Sequence, residues 1–209
     1  SPYYQPNIWL RTSDIHSLVD DGYHKQRKTL QGDITDSSVT LTLTQTDFAL
    51  ILEQYELYMK TVRQKGEDAL KFARENGKRI MILAGRPYHI DPEIGHGIDK
   101  LATSLGFVVV SEDSVAHLAP VQYVNVLDQW TFHARLYRSA RFAVENDDVE
   151  LVQLVSFGCG VDAITTDEVR SILEDGSKYY TQIKIDEITN LGAVKIRLRS
   201  LLGALEEKK

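Results

Sequence analysis

The chain has 209 residues, 43% of them hydrophobic, enough to bury one sizeable core with an appended piece, which excludes a mini-protein. With 24 Lys+Arg against 30 Asp+Glu the formal charge is −6, so no basic excess exists to neutralise a nucleic-acid backbone or to hold an anionic membrane. A single cysteine, Cys159, excludes an internal disulfide framework and a metal centre made wholly from this chain's thiolates, and points to a reducing, cytoplasmic setting.

The opening Ser1-Pro2-Tyr3-Tyr4 carries neither an initiator Met nor a signal pattern, which reads as a piece of something longer. Residues 1–45 form an irregular lead-in; within it Val39, Leu41 and Leu43 alternate with Thr40, Thr42 and Thr44, the period of an edge strand. From 46 to 209 the pattern is that of one α/β domain. Phe48, Ile51, Leu52, Tyr55, Met59 and Val62 recur at helical spacing and Ala69, Leu70 and Ala73 continue the stripe. This is a long helix, bent near Gly66, with Gly77 accepting the left-handed conformation at its end.

Arg79 to Ala84 is almost free of polar residues, as befits a strand covered on both faces of a parallel sheet. The densest apolar runs, Ile80 to Ala84 and Phe107 to Val110, are far shorter than the roughly 20 residues of a membrane helix. After the loop Gly85 to Gly95 come a short helix, His96 to Leu105, and a second strand, Phe107 to Val110. Pro120 opens a helix running to about Glu145, with Val124, Leu127, Trp130, Ala134, Tyr137 and Ala140 as its apolar stripe. Leu151 to Val155 is a third strand, Thr166 to Glu174 a helix, Tyr180 to Ile185 a fourth strand and Gly192 to Leu205 a terminal helix. Strands separated by helices predict a three-layer open sheet, mainly parallel and flavodoxin- or Rossmann-like.

Ligands of such sheets bind outside the carboxyl ends of the strands. Three segments stand there: Gly85-Arg86-Pro87-Tyr88-His89, Ser156-Phe157-Gly158-Cys159-Gly160, and Asp186-Glu187. Gly158 and Gly160 let the backbone turn sharply and let a bulky partner reach the sulfur, so Cys159 is a candidate ligand or nucleophile, against its role as a small buried thiol in a tight turn. His89, Asp91, Glu93 and His96 lie within eight positions and invite a metal, but Pro92 and Gly95 make this a turn rather than a ligand-aligning helix face, and capping and loop ordering are the stronger reading. Arg86, with the helix beginning near Gly97, offers an anion site for phosphate or carboxylate, against an ordinary surface charge. Asp186 and Glu187 offer a general base, or cap the terminal helix; neighbours on a strand face opposite ways, which favours the cap. Trp130, His133 and Tyr137 read as packing, and Lys195, Arg197 and Arg199 as a solvated face. GxGxxG, phosphate-loop, GxSxG and HExxH patterns are absent, which removes the commonest dinucleotide, NTPase, hydrolase and metalloprotease readings.

Arg86-Pro87-Tyr88-His89-Ile90-Asp91-Pro92-Glu93 with His96-Gly97-Ile98 resembles the domain that follows the activase domains in very large bacterial CoA-substrate-specific enzyme activases, or activators of 2-hydroxyacyl-CoA dehydratases. Gln129-Trp130-Thr131-Phe132-His133-Ala134-Arg135-Leu136-Tyr137, the run Leu154 to Ala163, and Lys184-Ile185-Asp186-Glu187 extend the resemblance across residues 47–205. That domain is in turn similar to dehydratase and benzoyl-CoA-reductase subunits, built from flavodoxin-like halves. There a 4Fe-4S cluster takes cysteines from separate segments, one in a motif similar to Ser156 to Gly160, and an ATP-driven activase delivers an electron to reduce the substrate thioester. The resemblance implies partners among activase and other domains of a parent protein, an acyl-CoA substrate, and lyase- or reductase-type chemistry of anaerobic metabolism. Only Cys159 matches a cluster-ligand position, so the remaining ligands would come from outside this chain. Two other readings stay open: a non-catalytic docking domain for activase domains, and a binder of a small anion or nucleotide phosphate.

Overall fold

The computed structural model describes residues 45–91, 93–120, 124–126, 128, 130–156, 160–185 and 191–208. Of the lead-in 1–45, residues 1–44, with the edge-strand candidate, lie outside them, and Gln45 begins a helix. The chain divides into two compact units, Ser1–Tyr58 and Met59–Lys209; the sheet and everything built on it belong to the second.

Helix α1 (Gln45–Glu75) is followed by β1 (Ile80–Ala84), a 3-10 turn (Pro87–Ile90), α2 (Ile98–Ser104), β2 (Val108–Ser111), α3 (Glu112–Val115), a second 3-10 turn (Ala116–Leu118), α4 (Thr131–Glu145), β3 (Val149–Val155), α5 (Gly160–Asp175), β4 (Thr181–Lys184) and α6 (Gly192–Glu207). The four strands form one sheet in the order β2-β1-β3-β4. Every pairing is parallel: Ile82 lies opposite Val110 on one side and Leu151 on the other, and Leu154 opposite Ile183. β1 and β3 are buried along their whole length, as central strands covered on both faces must be.

Alternation along the strands builds two cores. Ile80, Ile82, Ala84, Val149 and Leu151 face Leu70 and Ala73 of α1, Leu136, Tyr137 and Ala140 of α4, and Val169 and Leu173 of α5. Met81, Leu83, Val152, Leu154 and Ile183 face Ile98 and Ala102 of α2 and Val194, Leu198, Leu201 and Leu205 of α6. Burial of each large aliphatic side chain contributes about 1.5–3 kcal/mol, so these two layers are the main stabilising term. The chain steps from β1 to β2 in one direction, then crosses to β3 on the far side of β1 and on to β4. With one crossover hand throughout, that reversal puts α2 on one face and α4 and α5 on the other.

Several boundaries differ from those the sequence predicts. α4 begins at Thr131, not Pro120: residues 124–126 are not helical and Trp130 is extended (φ −111°, ψ 125°). Val124 is buried from irregular chain, and the three-residue spacing of Val124, Leu127 and Trp130 in the sequence mimics a helical stripe where Val124 is not helical. α5 starts at Gly160 rather than Thr166, because its first turns bury polar side chains, Thr165, Thr166 and Glu168, which an apolar template passes over. α2 starts at Ile98, since His96 (φ +49°) and Gly97 (φ +75°) are left-handed. α1 runs unbroken through Gly66, and Gly77 (φ +59°) turns the chain out of it as predicted. Along α1, Leu52 and Tyr55 of the predicted stripe are exposed while Met59, Leu70 and Ala73 are buried. Among the described residues no helix is long and apolar enough to cross a membrane.

One buried acid belongs to the fold. Glu150 on β3 is 1% exposed, 3.3 Å from Arg79 and 3.6 Å from Lys178. Lys178 Nζ also donates to the carbonyls of Asn146 (3.0 Å), Asp147 (3.3 Å) and Val149 (2.9 Å). Burial pushes the Glu150 carboxyl up, against the pull of Lys178 and Arg79.

Candidate functional site at the sheet's switch point

The strand order reverses between β1 and β3, and their carboxyl ends emerge side by side, with Ala84 opposite Gln153. In an open α/β sheet this is where ligands bind. Gly85 follows β1 where a Cβ would overlap His89 Nδ1 and come within 3.0 Å of the Leu154 carbonyl oxygen. Only glycine lets the chain fold back here, and Pro87 at the start of the 3-10 turn, its φ fixed, sets the return.

The return seats His89 in the interior, 1% exposed. Its Nδ1 accepts the Arg86 backbone N–H at 3.0 Å, which fixes the neutral tautomer and leaves the proton on Nε2. Nε2 therefore donates to Ser156 Oγ, 2.8 Å away at the end of β3. The Tyr88 hydroxyl is 3.2 Å from the same Oγ, and its ring meets the imidazole edge-on with centroids 4.5 Å apart. Two loops distant in sequence are thus joined through one serine hydroxyl. Because His89 is a donor at Nε2, it does not take the serine proton, and the cluster is built to hold and orient hydroxyl groups rather than to make a serine nucleophile.

Beside it, Arg86 Nε and Nη2 converge on Asp162 Oδ1 at 2.9 and 2.8 Å. Asp162 lies in the first turn of α5, where a carboxylate is favoured by the helix dipole. Its Oδ2 is buried and without a hydrogen-bond partner among the described residues. Arg86 thus commits two donors to a carboxylate of the chain itself, where the sequence offered it to an external anion. His133 of α4 interacts with both members of this pair; burial first, then the Arg86 guanidinium, holds its imidazole below the ordinary histidine range.

Under the β1 loop sits Glu112, the first residue of α3, 3% exposed. Burial raises its carboxyl from the ordinary 4.5 to about 7, although Arg135 and a hydrogen bond from the Gly85 backbone pull the other way. Arg135 Nη2 stands 3.4 Å away, and Arg135 Nε is buried without a partner among the described residues.

Of the residues nominated from sequence, Arg86, Tyr88, His89 and Ser156 meet at the switch point. Asp91 orders its own loop: Oδ1 accepts the Glu93 and Ile94 N–H groups at 3.0 and 3.4 Å, and its carbonyl oxygen accepts Gly95 N–H at 2.7 Å. His96 is exposed and left-handed, turning the chain toward α2. Gly160 opens α5. Gly158, Cys159, Asp186 and Glu187 lie outside the described residues. Trp130, expected as packing, is 55% exposed, whereas Tyr137 is buried.

Among the described residues no group of three or more His, Cys, Asp or Glu is placed to hold a metal ion, and His89 is engaged by Arg86 and Ser156. A 4Fe-4S cluster takes four ligands; with one cysteine in the sequence the chain does not by itself fit such a group. Asp162, Glu112, Arg135 and His133 were missed as site residues. Asp162, His133 and Arg135 stood only within the runs that carry the family resemblance, and Glu112 gave no signal, since burial and juxtaposition mark these residues rather than residue type.

Residues 17–115 match the family model of the CoA enzyme activase uncharacterised domain. The matched stretch contains β1, the Arg86–His89 turn, β2 and Glu112, and ends before Ser156 and Asp162. No curated protein and no solved structure matches the chain.

Proposed function

We propose that this chain is a module of a CoA-enzyme activase system of the ATP-dependent, 2-hydroxyacyl-CoA-dehydratase-like kind, and that the edge between β1 and β3 is its acyl-CoA-associated site. The match of residues 17–115 to the activase-associated domain supports the system. The observation that carries the site is the joining of Tyr88, His89 and Ser156 where the strand order reverses. With one lone pair of Ser156 Oγ taken by His89 Nε2–H and one hydroxyl proton shared between Tyr88 and Ser156, the pair keeps one O–H to donate to a ligand oxygen, and a thioester carbonyl is such an acceptor. Arg86, neutralised by Asp162, frames this edge without adding net charge. In this reading Cys159, three residues after Ser156, is the one thiolate the module contributes to a 4Fe-4S cluster completed by ligands of a cytoplasmic partner, and electron delivery belongs to the activase domains.

Calorimetric titration of the chain with acetyl-CoA tests the site. Saturable binding, weakened severalfold by Ser156→Ala and by Tyr88→Phe, is the expected result. No heat at millimolar ligand overturns it and favours a docking role, which copurification with activase domains would then reveal.

A further inference from the structure

Trp130 immediately precedes α4, and its extended backbone carries the indole away from the core, leaving it 55% exposed. The ring is nevertheless held: it lies against the His133 imidazole with centroids 5.0 Å and planes 30° apart. Phe132, two residues further on, is 47% exposed, and the Arg135 guanidinium stands 5.0 Å over its ring. His133 is in turn electrostatically coupled to Arg86 and Asp162, so this aromatic shelf adjoins the switch-point edge. A lone exposed apolar residue needs no explanation. Two exposed aromatics two residues apart, each backed by a planar group and set beside the switch-point edge, form a stacking surface. A cage for an ammonium ion is the wrong reading, because the Phe132 face already carries a cation of the chain.

The geometry points to a purine subsite, in which the Trp130 indole stacks the adenine ring of an acyl-CoA, or of a free adenine nucleotide, whose remainder runs toward Tyr88 and Ser156. The choice of acyl-CoA rests on the functional reading above; the stacking does not. An indole offers a large π face, and stacking on an aromatic side chain needs no base-specific hydrogen bonds.

The chain has two tryptophans, so a Trp9→Phe background leaves Trp130 as the sole indole reporter. In that background ADP, CoA, acetyl-CoA and S-acetylpantetheine, which lacks the nucleotide, are titrated by fluorescence and calorimetry. ADP and the CoA species are expected to quench Trp130. Trp130→Ala should weaken ADP and CoA about tenfold, within the range for base–aromatic stacking, and leave S-acetylpantetheine unaffected, while Trp130→Phe retains most of the affinity. Equal binding of CoA and S-acetylpantetheine, indifferent to Trp130→Ala, overturns the stacking and leaves the acyl-CoA site standing. Quenching by ADP with no binding of any thioester sustains the stacking and overturns the acyl-CoA reading. Absence of binding by both ADP and CoA at millimolar concentration overturns the inference. Because Trp130 is exposed and its side chain makes no cap hydrogen bond, an unchanged melting temperature is expected of Trp130→Ala.

Discussion

Replacing Glu112 by Gln should make the protein more stable at alkaline pH and change little in acid. Glu112 is 3% exposed and its carboxyl titrates near pH 7 in the folded chain instead of 4.5, chiefly because burial disfavours the anion. Between these two values the native state holds a proton that the unfolded chain has released. Stability from this group is therefore complete below pH 4.5, declines as pH rises through the window, and is gone above pH 7. At about 1.4 kcal/mol per pH unit, the displacement from 4.5 to about 7 corresponds to about 3 kcal/mol. Gln keeps a neutral, hydrogen-bonding side chain beside Arg135 and Gly85 and cannot ionise. Urea unfolding of both proteins from pH 4.5 to 8.5 supplies the comparison, and the difference between the two curves removes the other titrating groups, His133 among them, whose contribution has the opposite sign. The curves should converge at the acid end and separate by about 3 kcal/mol at the alkaline end. Parallel curves, or a Gln variant less stable at pH 8.5, would show that the Arg135 pairing outweighs desolvation and that the reasoning is wrong.

Ser156→Ala leaves the buried His89 Nε2–H without its acceptor and should lower stability by about 1–3 kcal/mol in denaturant unfolding; a neutral result would mean that His89 finds another acceptor. Gly85→Ala drives a methyl into His89 and should disturb the His89–Ser156 bond as well as stability, read as a shifted and exchange-exposed imidazole N–H in NMR spectra; an unmoved resonance would contradict the close approach. Lys178→Met removes one cation from Glu150 and three hydrogen bonds to carbonyls, with an expected loss of about 3–5 kcal/mol, as for other broken buried pairs. In a proton NMR titration the His133 ring should show its midpoint below 6.5, and a midpoint above that value would place Asp162 or Asp128, rather than burial and Arg86, in control.

The α/β class was legible from sequence because strands covered on both faces, such as Ile80–Ala84, must be apolar throughout, while helices covered on one face show a stripe. The same logic located the loops after β1 and β3, since polar residues that interrupt two buried strands have nowhere to go but the sheet's edge. It misplaced the start of α4, where irregular chain buries Val124, and the start of α5, where the buried side chains are polar. Periodicity registers burial, not backbone conformation.

Which loop meets which was beyond the sequence. Reversal of strand order between β1 and β3 is a property of the whole sheet, and only that reversal sets His89 against Ser156, 67 positions away, and Arg86 against Asp162, 76 away. Nor does composition distinguish Glu112, sealed under a loop and titrating near 7, from the other acids, because the charge of a carboxyl depends on the water and partners around it, and those are assigned by packing. The residue types, and with them the hydroxyls, imidazole and guanidinium available for chemistry, were set by the sequence; their meeting at one edge, their tautomers and their protonation were set by the tertiary fold.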